Sequence, residues 1–296
     1  MFNLFRRGPT VGEWRAAYLS FARRFSDSTF GAKARAFRRL DGYFPDNTPV
    51  RKISKPAVLA MLQRVAQENS GGVANVMNKQ LRCGWNWGEQ YFALPGTNPF
   101  HRQPKFAADE RPRYVPPVSD FSAVLDAAET LMDRAMLVLA LHTAARRGEI
   151  FRLRWADVDF GRKLIQLGTR KRAGGGMQYD WIPMSDALGG ILSEYRRETE
   201  GFGLVFPRRG HGNECYTSRK PWLRKLCQVA GVKRFGFHSI RHLSASMMAA
   251  AGVSIPDIQS VLRHRDIQTT SIYLHRIGAM VGEKLDDVFR SAAMRV

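Results

Sequence analysis

Between His238 and Tyr273 the chain sets two histidines, an arginine and a tyrosine at fixed intervals, and no other stretch limits the fold as much. It begins His238-Ser-Ile-Arg241-His242 and ends Leu262-Arg-His264-Arg-Asp-Ile-Gln-Thr-Thr-Ser-Ile-Tyr273. His238 and Arg241 stand three apart, which on a helix puts them on one face with joint reach to a single phosphate. The run Leu243 to Ala251 favours helix, and Gly252 is placed to stop it. Ser254-Ile-Pro256-Asp257 announces a second helix through a capping serine, an early proline and an acid in the first turn, with Ile258, Val261 and Leu262 facing inward. His264 falls just past that helix, and Asp266 is positioned to cap a third that carries Ile272 and Tyr273. Helix ends and one helix face then converge on a compact polar site.

The segments His238-x-x-Arg241-His242, Leu262-Arg-His264 and Tyr273, nine residues after His264, resemble the C-terminal motif of the tyrosine recombinases, the phage integrase family. That family also has an upstream arginine in a helix running into a Trp-x-Asp turn, and Thr143-Ala-Ala-Arg146-Arg-Gly-Glu149-Ile-Phe-Arg-Leu-Arg-Trp155-Ala-Asp157 supplies one. Arg263 stands where the family usually has glycine. The resemblance implies a mainly α fold with a small antiparallel β-sheet. An N-terminal helical, SAM-like core-binding domain would occupy residues 1–99, a linker 100–118, and a C-terminal mixed α+β catalytic domain 119–296.

The chemistry follows from the residue types. A phosphodiester is a stable anion, so attack on phosphorus requires its nonbridging oxygens to be neutralised, and two guanidiniums do this with permanent charge and forked hydrogen bonds. Arg146 and Arg241 fit that role. By resemblance Tyr273 is the nucleophile, giving a 3′-phosphotyrosine and a free 5′-hydroxyl, Lys171 is the general acid, and His238 and His264 donate to the phosphate or move the tyrosine proton. No metal or other cofactor is required. The implied function is site-specific recombination by a phage or mobile-element integrase, with double-stranded DNA target sites and a tetramer on two duplexes, accessory DNA-bending proteins being left open. A topoisomerase-like nicking-closing enzyme and a non-cleaving DNA-binding regulator are the alternatives.

Each of these residues also has a plainer reading. Tyr273 is compatible with an ordinary amphipathic helix. His238 and His242, four apart, have metal-ligand spacing but no acid where the zinc-protease helix motif needs one. His242 reads as a core histidine bracing the site, Glu149 as a local partner for an arginine, and Trp155 as packing.

Bulk composition fits a polyanion partner. Of 296 residues 46 are basic and 26 acidic, a formal net charge of +20, and 44% are hydrophobic, enough for two ordinary cores. Residues 1 to 117 hold 19 bases and 8 acids, and the remainder 27 and 18, so the excess reads as a clamp rather than a basic tail. Cys83, Cys215 and Cys227 show neither metal spacing nor an even disulfide framework, which points to a reducing interior. Met1-Phe-Asn-Leu-Phe-Arg-Arg is too short in its apolar part for a signal peptide, and no run reaches membrane-spanning length. The expectation is a cytoplasmic, nucleoid-associated protein without a membrane partner.

Along the chain, Trp14, Tyr18, Phe21 and Phe25 take helical spacing over residues 10 to 25, and Ala34, Phe37 and Leu40 over residues 31 to 44. Arg23, Arg24, Arg38 and Arg39 lie on the complementary faces, either as phosphate contacts or as a solvated surface. A third helix opens at Ser54-Lys-Pro56, and a fourth runs from about Val73 to Leu94. The proline-rich, basic segment from Phe100 to Val118 reads as an extended strap crossing the duplex, or as a plain surface loop. Helices are expected at 120–129 and 131–153, the latter carrying Arg146. Strands Lys163 to Leu167 and Tyr179 to Pro183 flank a glycine-rich basic hairpin with Arg170, Lys171 and Arg172. Further helices are expected near 186–199 and 218–230. The tail from Val281 docks in its own domain or, as the resemblance favours, on a neighbouring subunit.

Overall fold

The computed structural model describes residues 8–108, 114–169, 176–199 and 201–263. The chain divides into two compact units, with the boundary between Arg111 and Pro112.

The described residues of the first unit form four α-helices, each opened by a side-chain cap. α1 (Val11–Ala22) starts with a reciprocal box, in which Thr10 Oγ1 accepts from the Glu13 amide and the Glu13 carboxylate from the Thr10 amide. α2 (Asp27–Asp41), α3 (Lys55–Glu68) and α4 (Gly71–Tyr91) are capped by Ser26, Ser54 and Ser70. α2 begins one turn before the apolar spacing predicts, because Ser26 and Asp27 form a local start signal that the hydrophobic pattern does not contain. The core is built around Trp14, wholly buried, with ring centroids 4.7 Å from Phe37, 5.3 Å from Trp85 and 6.2 Å from Phe100. Its indole Nε1 donates to the Gly84 carbonyl at 3.1 Å. A side chain at Gly84 would put Cβ 3.1 Å from the Tyr18 ring and 3.2 Å from that of Phe37, so glycine is what lets α4 approach this closely.

Phe100, expected at the head of a linker, is wholly buried in this core. A large apolar side chain gains more from burial than an exposed strap would allow. The chain then stays on the first unit as far as Ala107: the Asn75 amide group accepts from the Phe106 amide at 3.0 Å and donates to its carbonyl at 2.9 Å.

The second unit centres on α6 (Leu131–His142), in which Ala135, Met136, Leu137, Leu139 and Ala140 are all buried. α5 (Val118–Asp126) precedes it, and α8 (Asp186–Arg197) and α10 (Phe237–Ala250) pack against it. The sheet is antiparallel in the order β1 (Val158–Asp159), β2 (Leu164–Thr169), β3 (Gln178–Pro183), with Ile165 opposite both Val158 and Ile182. The same unit holds α9 (Lys220–Val229) and α11 (Ile255–Leu262). A buried ion pair ties α6 to the start of α9: Arg219 Nη1 lies 2.6 Å from Asp133 Oδ1, its guanidinium 3.8 Å from the Trp222 ring centroid.

The single helix expected over 131–153 is two. α6 stops at His142, Ala144 takes φ +47°, and α7 (Arg147–Arg152) begins after Arg146 in extended conformation. Thr143 Oγ1 donates back to the Leu139 carbonyl at 2.7 Å and accepts from the Ala145 amide at 3.3 Å, satisfying the helix end locally.

Gly71 offers the clearest test of the packed strap. A Cβ there would fall 1.9 Å from the Ala107 carbonyl oxygen and 2.9 Å from Phe106 Cβ. Gly71→Ala is expected to lift residues 106–107 and destabilise the first unit by about 1–3 kcal/mol. Denaturant melting measures it, and an unchanged midpoint would mean the strap contributes nothing.

Candidate active site

The break after α6 makes the site. Leaving the helix at Thr143 turns the Ala144 carbonyl away from helical bonding, and Arg241 of α10 donates to it through Nη1 at 2.6 Å. The other end of the Arg241 fork, Nη2, donates to the carbonyl of Leu262, the last residue of α11. Ala144, Ala245, Ile258 and Leu262 close over this bridge as a small buried cluster. Arg241 is 1% exposed.

Arg146 reaches the same place from the other side. As the residue before α7 it receives the Glu149 carboxylate on its own amide, at 2.7 Å to Oε2, and on Nη1, at 3.0 Å to Oε1. Its Nη2 donates to the Arg263 carbonyl at 3.1 Å. The two arginines therefore grip consecutive carbonyls, Leu262 and Arg263, directly before His264 in sequence. The Arg146 side chain keeps 23% exposure while that of Glu149 has 2%.

Arg263 is a member of this cluster that sequence reading misses. It ends α11 in the left-handed region, φ +53° and ψ +44°, where glycine sits without strain. Its side chain is nonetheless 2% exposed, with Nη2 2.7 Å from Glu149 Oε2 and Nη1 3.0 Å from the Val261 carbonyl. The local partner expected for Glu149 is present in Arg146, and a second one arrives from far along the chain. The only sequence signal for it is a charged residue in a position that suits glycine.

His238 and Arg241, three apart on α10, differ in burial. His238 is exposed at the first turn of α10, its ring edge-on to buried His242 with centroids 4.4 Å apart, whereas Arg241 points inward. Lys171, His264, Tyr273, Arg170, Arg172 and the cap expected at Asp266 lie outside the described residues, as does the tail from Val281. β2 and β3 flank the segment that holds Lys171. In the first unit Arg23, Arg24, Arg38 and Arg39 are exposed. The guanidinium of Arg23 lies 5.7 Å from the Phe30 ring and that of Arg24 5.2 Å from the Phe21 ring. Trp155 is buried against Tyr195, as packing requires. No described helix is long and apolar enough to cross a membrane.

Burial is the largest single influence on the Glu149 carboxyl and pushes its pKa up. The charges of Arg263 and Arg146 and the Arg146 amide outweigh it together, so the net shift is downward. A carboxyl held below its unfolded value, about 4.3, contributes stability above that pH and loses it as pH falls through the folded value. Glu149→Gln is therefore expected to lower the melting temperature near neutral pH, with the deficit from wild type shrinking below pH ~4. A deficit constant across pH would show that the charge of Glu149 is not what stabilises.

Residues 118–278 match the family model described as the phage integrase family. A tyrosine recombinase XerC of Xanthomonas axonopodis pv. citri is 29% identical over 178 residues, 57% of this chain and 57% of that protein. One of Xylella fastidiosa is 30% identical over 151 residues, 49% of each. The chain thus spans about half the length of the curated relatives it matches. Among solved structures, the Tn1549 transposon integrase in complex with a circular intermediate DNA superposes with TM-score 0.71 at 17% identity, covering 90% of this chain and 95% of that one. A lambda integrase from a tetramer bound to a Holliday junction gives 0.70 at 18%, covering 89% and 77%. These likenesses carry the same mainly helical fold with its small antiparallel sheet, and with more than half of its length inside the family match, the chain belongs to the phage integrase family, the tyrosine recombinases.

Proposed function

We propose that this chain is a site-specific DNA recombinase, an integrase of a phage or mobile element, acting on double-stranded DNA in the cytoplasm, at the nucleoid. The observation that carries this reading is the convergence of Arg146 and Arg241 on the Leu262–Arg263 carbonyls, across 117 and 21 positions of sequence respectively. Two guanidiniums at one turn, immediately before His264, give the positive field that a phosphodiester requires. Arg146, partly exposed, is the arm that contacts a nonbridging oxygen directly.

In this scheme the Tyr273 phenol attacks phosphorus in line, forming the Tyr–O–P bond as the P–O5′ bond breaks. Lys171 protonates the departing 5′ oxygen. His238, at the exposed start of α10, and His264 donate to the phosphate or take the tyrosine proton. The 3′-phosphotyrosine keeps the bond energy, and a 5′-hydroxyl from a second strand reverses the step to reseal the DNA. Residues 1–99 are assigned to core-type DNA binding and 119–296 to catalysis, with four protomers on two duplexes. The relatives' names and the DNA-bound integrases that share the fold support this assignment.

Tyr273→Phe is expected to bind DNA normally and to form no covalent adduct on a denaturing gel. An adduct that persists would move the nucleophile, with Tyr179, 57% exposed, as the first candidate. Replacing Arg23, Arg24, Arg38 and Arg39 by alanine is expected to weaken DNA binding and to flatten the slope of log K against log salt by roughly 0.9 for each phosphate that is no longer neutralised. An unchanged slope would remove these four from the interface. Formation of recombinant joints between two target copies, rather than relaxed circles alone, separates recombination from nicking and closing.

A further inference from the structure

Arg263 poses a specific problem. Its backbone occupies a left-handed conformation that side chains rarely adopt, and its guanidinium is buried at 2% exposure, yet the position holds neither glycine nor an apolar residue. What the arginine gains there is contact with Glu149, Oε2 at 2.7 Å, while its own carbonyl accepts from Arg146 Nη2 at 3.1 Å. Both ends of the residue therefore act on Arg146, one directly and one through the shared carboxylate.

The charge balance gives this arrangement a consequence. Glu149 pairs with Arg146 through Oε1, and a lone Glu149–Arg146 pair would be neutral overall, with little attraction left for an anion. Adding Arg263 leaves the three-residue cluster with one net positive charge, with Oε1 on Arg146 Nη1 and Oε2 shared between the Arg146 amide and Arg263 Nη2. The Arg263 carbonyl fixes the remaining arm of the fork, so Arg146 retains both its aim and its charge. Lysine would keep the charge but lacks the second arm that holds the Val261 carbonyl at 3.0 Å.

We propose that Arg263 is a positioning residue that keeps the Arg146 guanidinium oriented and cationic toward the scissile phosphate, by taking up one oxygen of Glu149 and presenting its own carbonyl to Arg146. The proposal rests on the recombinase reading above. Its test compares wild type, Arg263→Gly and Arg263→Lys as full-length chains. Two readouts are needed: single-turnover adduct formation on a suicide duplex built from the attachment site mapped beside the encoding gene, and melting temperature as a function of pH without DNA.

Arg263→Gly relieves the backbone and removes the ion pair. Its affinity for the duplex is expected to stay within about twofold of wild type while the rate of adduct formation falls about tenfold, with Arg263→Lys in between. Without DNA, the acid-side loss of stability in Arg263→Gly begins at higher pH than in wild type, because Glu149 has lost a cation. In a Glu149→Gln background the further effect of Arg263→Gly on rate is expected to shrink. An Arg263→Gly protein that cleaves at the wild-type rate overturns the proposal, as does a rate loss of equal size in the Glu149→Gln background. A wild-type protein that forms no adduct, with the acid shift still present, overturns the recombinase reading and leaves the Arg263–Glu149–Arg146 linkage standing.

Discussion

A buried guanidinium that bonds to two backbone carbonyls holds the second unit's polar centre together. Arg241, 1% exposed, donates to Ala144, in the turn just past α6, and to Leu262 at the end of α11. A charge taken out of water is costly unless its hydrogen bonds are met, and both helix ends have carbonyls that their own helices leave unbonded. Each problem answers the other. With Arg241 in place, the turn from Thr143 to Arg146 has a fixed course, and that course delivers Arg146 and Glu149 to the end of α11. Without it the Ala144 and Leu262 carbonyls would both lose this donor, and the small cluster of Ala144, Ala245, Ile258 and Leu262 would lose its frame.

Where the sequence is legible, the signal is local. Ser54-Lys-Pro56 and Ser254-Ile-Pro256 open α3 and α11 as expected, because a cap and an early proline act within four residues. The hairpin strands also fall within a residue or two of expectation, since alternation along β2 reports one buried face. The family is equally readable, because its motif residues keep their intervals. What cannot be read is decided by partners remote in the chain. The helix expected through residue 153 stops at 142 because Thr143 satisfies the helix end and Arg241 captures the next carbonyl. Phe100 belongs to the first core because Trp14 and Trp85 leave a place for it. Spacing puts His238 and Arg241 on one face, but it carries no information about which is buried.

The two units use their charges differently. In the first, the core is aromatic, with Trp14, Tyr18, Phe37, Trp85 and Phe100 buried, and the arginines expected to meet DNA stay outside, two of them over aromatic rings. Their guanidiniums keep their water, so what they offer an anion is long-range and weakened by salt. In the second unit arginines are drawn inward: Arg219 pairs with Asp133, Arg263 with Glu149, and Arg241 with backbone. Charges in that setting are screened little and are fixed in direction before any ligand arrives.

That difference explains why the buried positions are arginine and not lysine. A buried ammonium sheds its proton readily, and Lys33, at 6% exposure beside the Tyr18 hydroxyl, already has its pKa lowered, chiefly by burial. A guanidinium keeps its charge under the same pressure. Burial also lowers the pKa of Arg263, against the pull of Glu149, but a guanidinium holds its proton so firmly that the group stays cationic at neutral pH. Arg241 and Arg263 can thus maintain a positive potential in the interior and anchor backbone at once, while the Arg146 side chain stays partly exposed. A field built this way needs no rearrangement when a phosphate enters, and preorganisation of that kind is where most of the gain in phosphoryl-transfer catalysis lies.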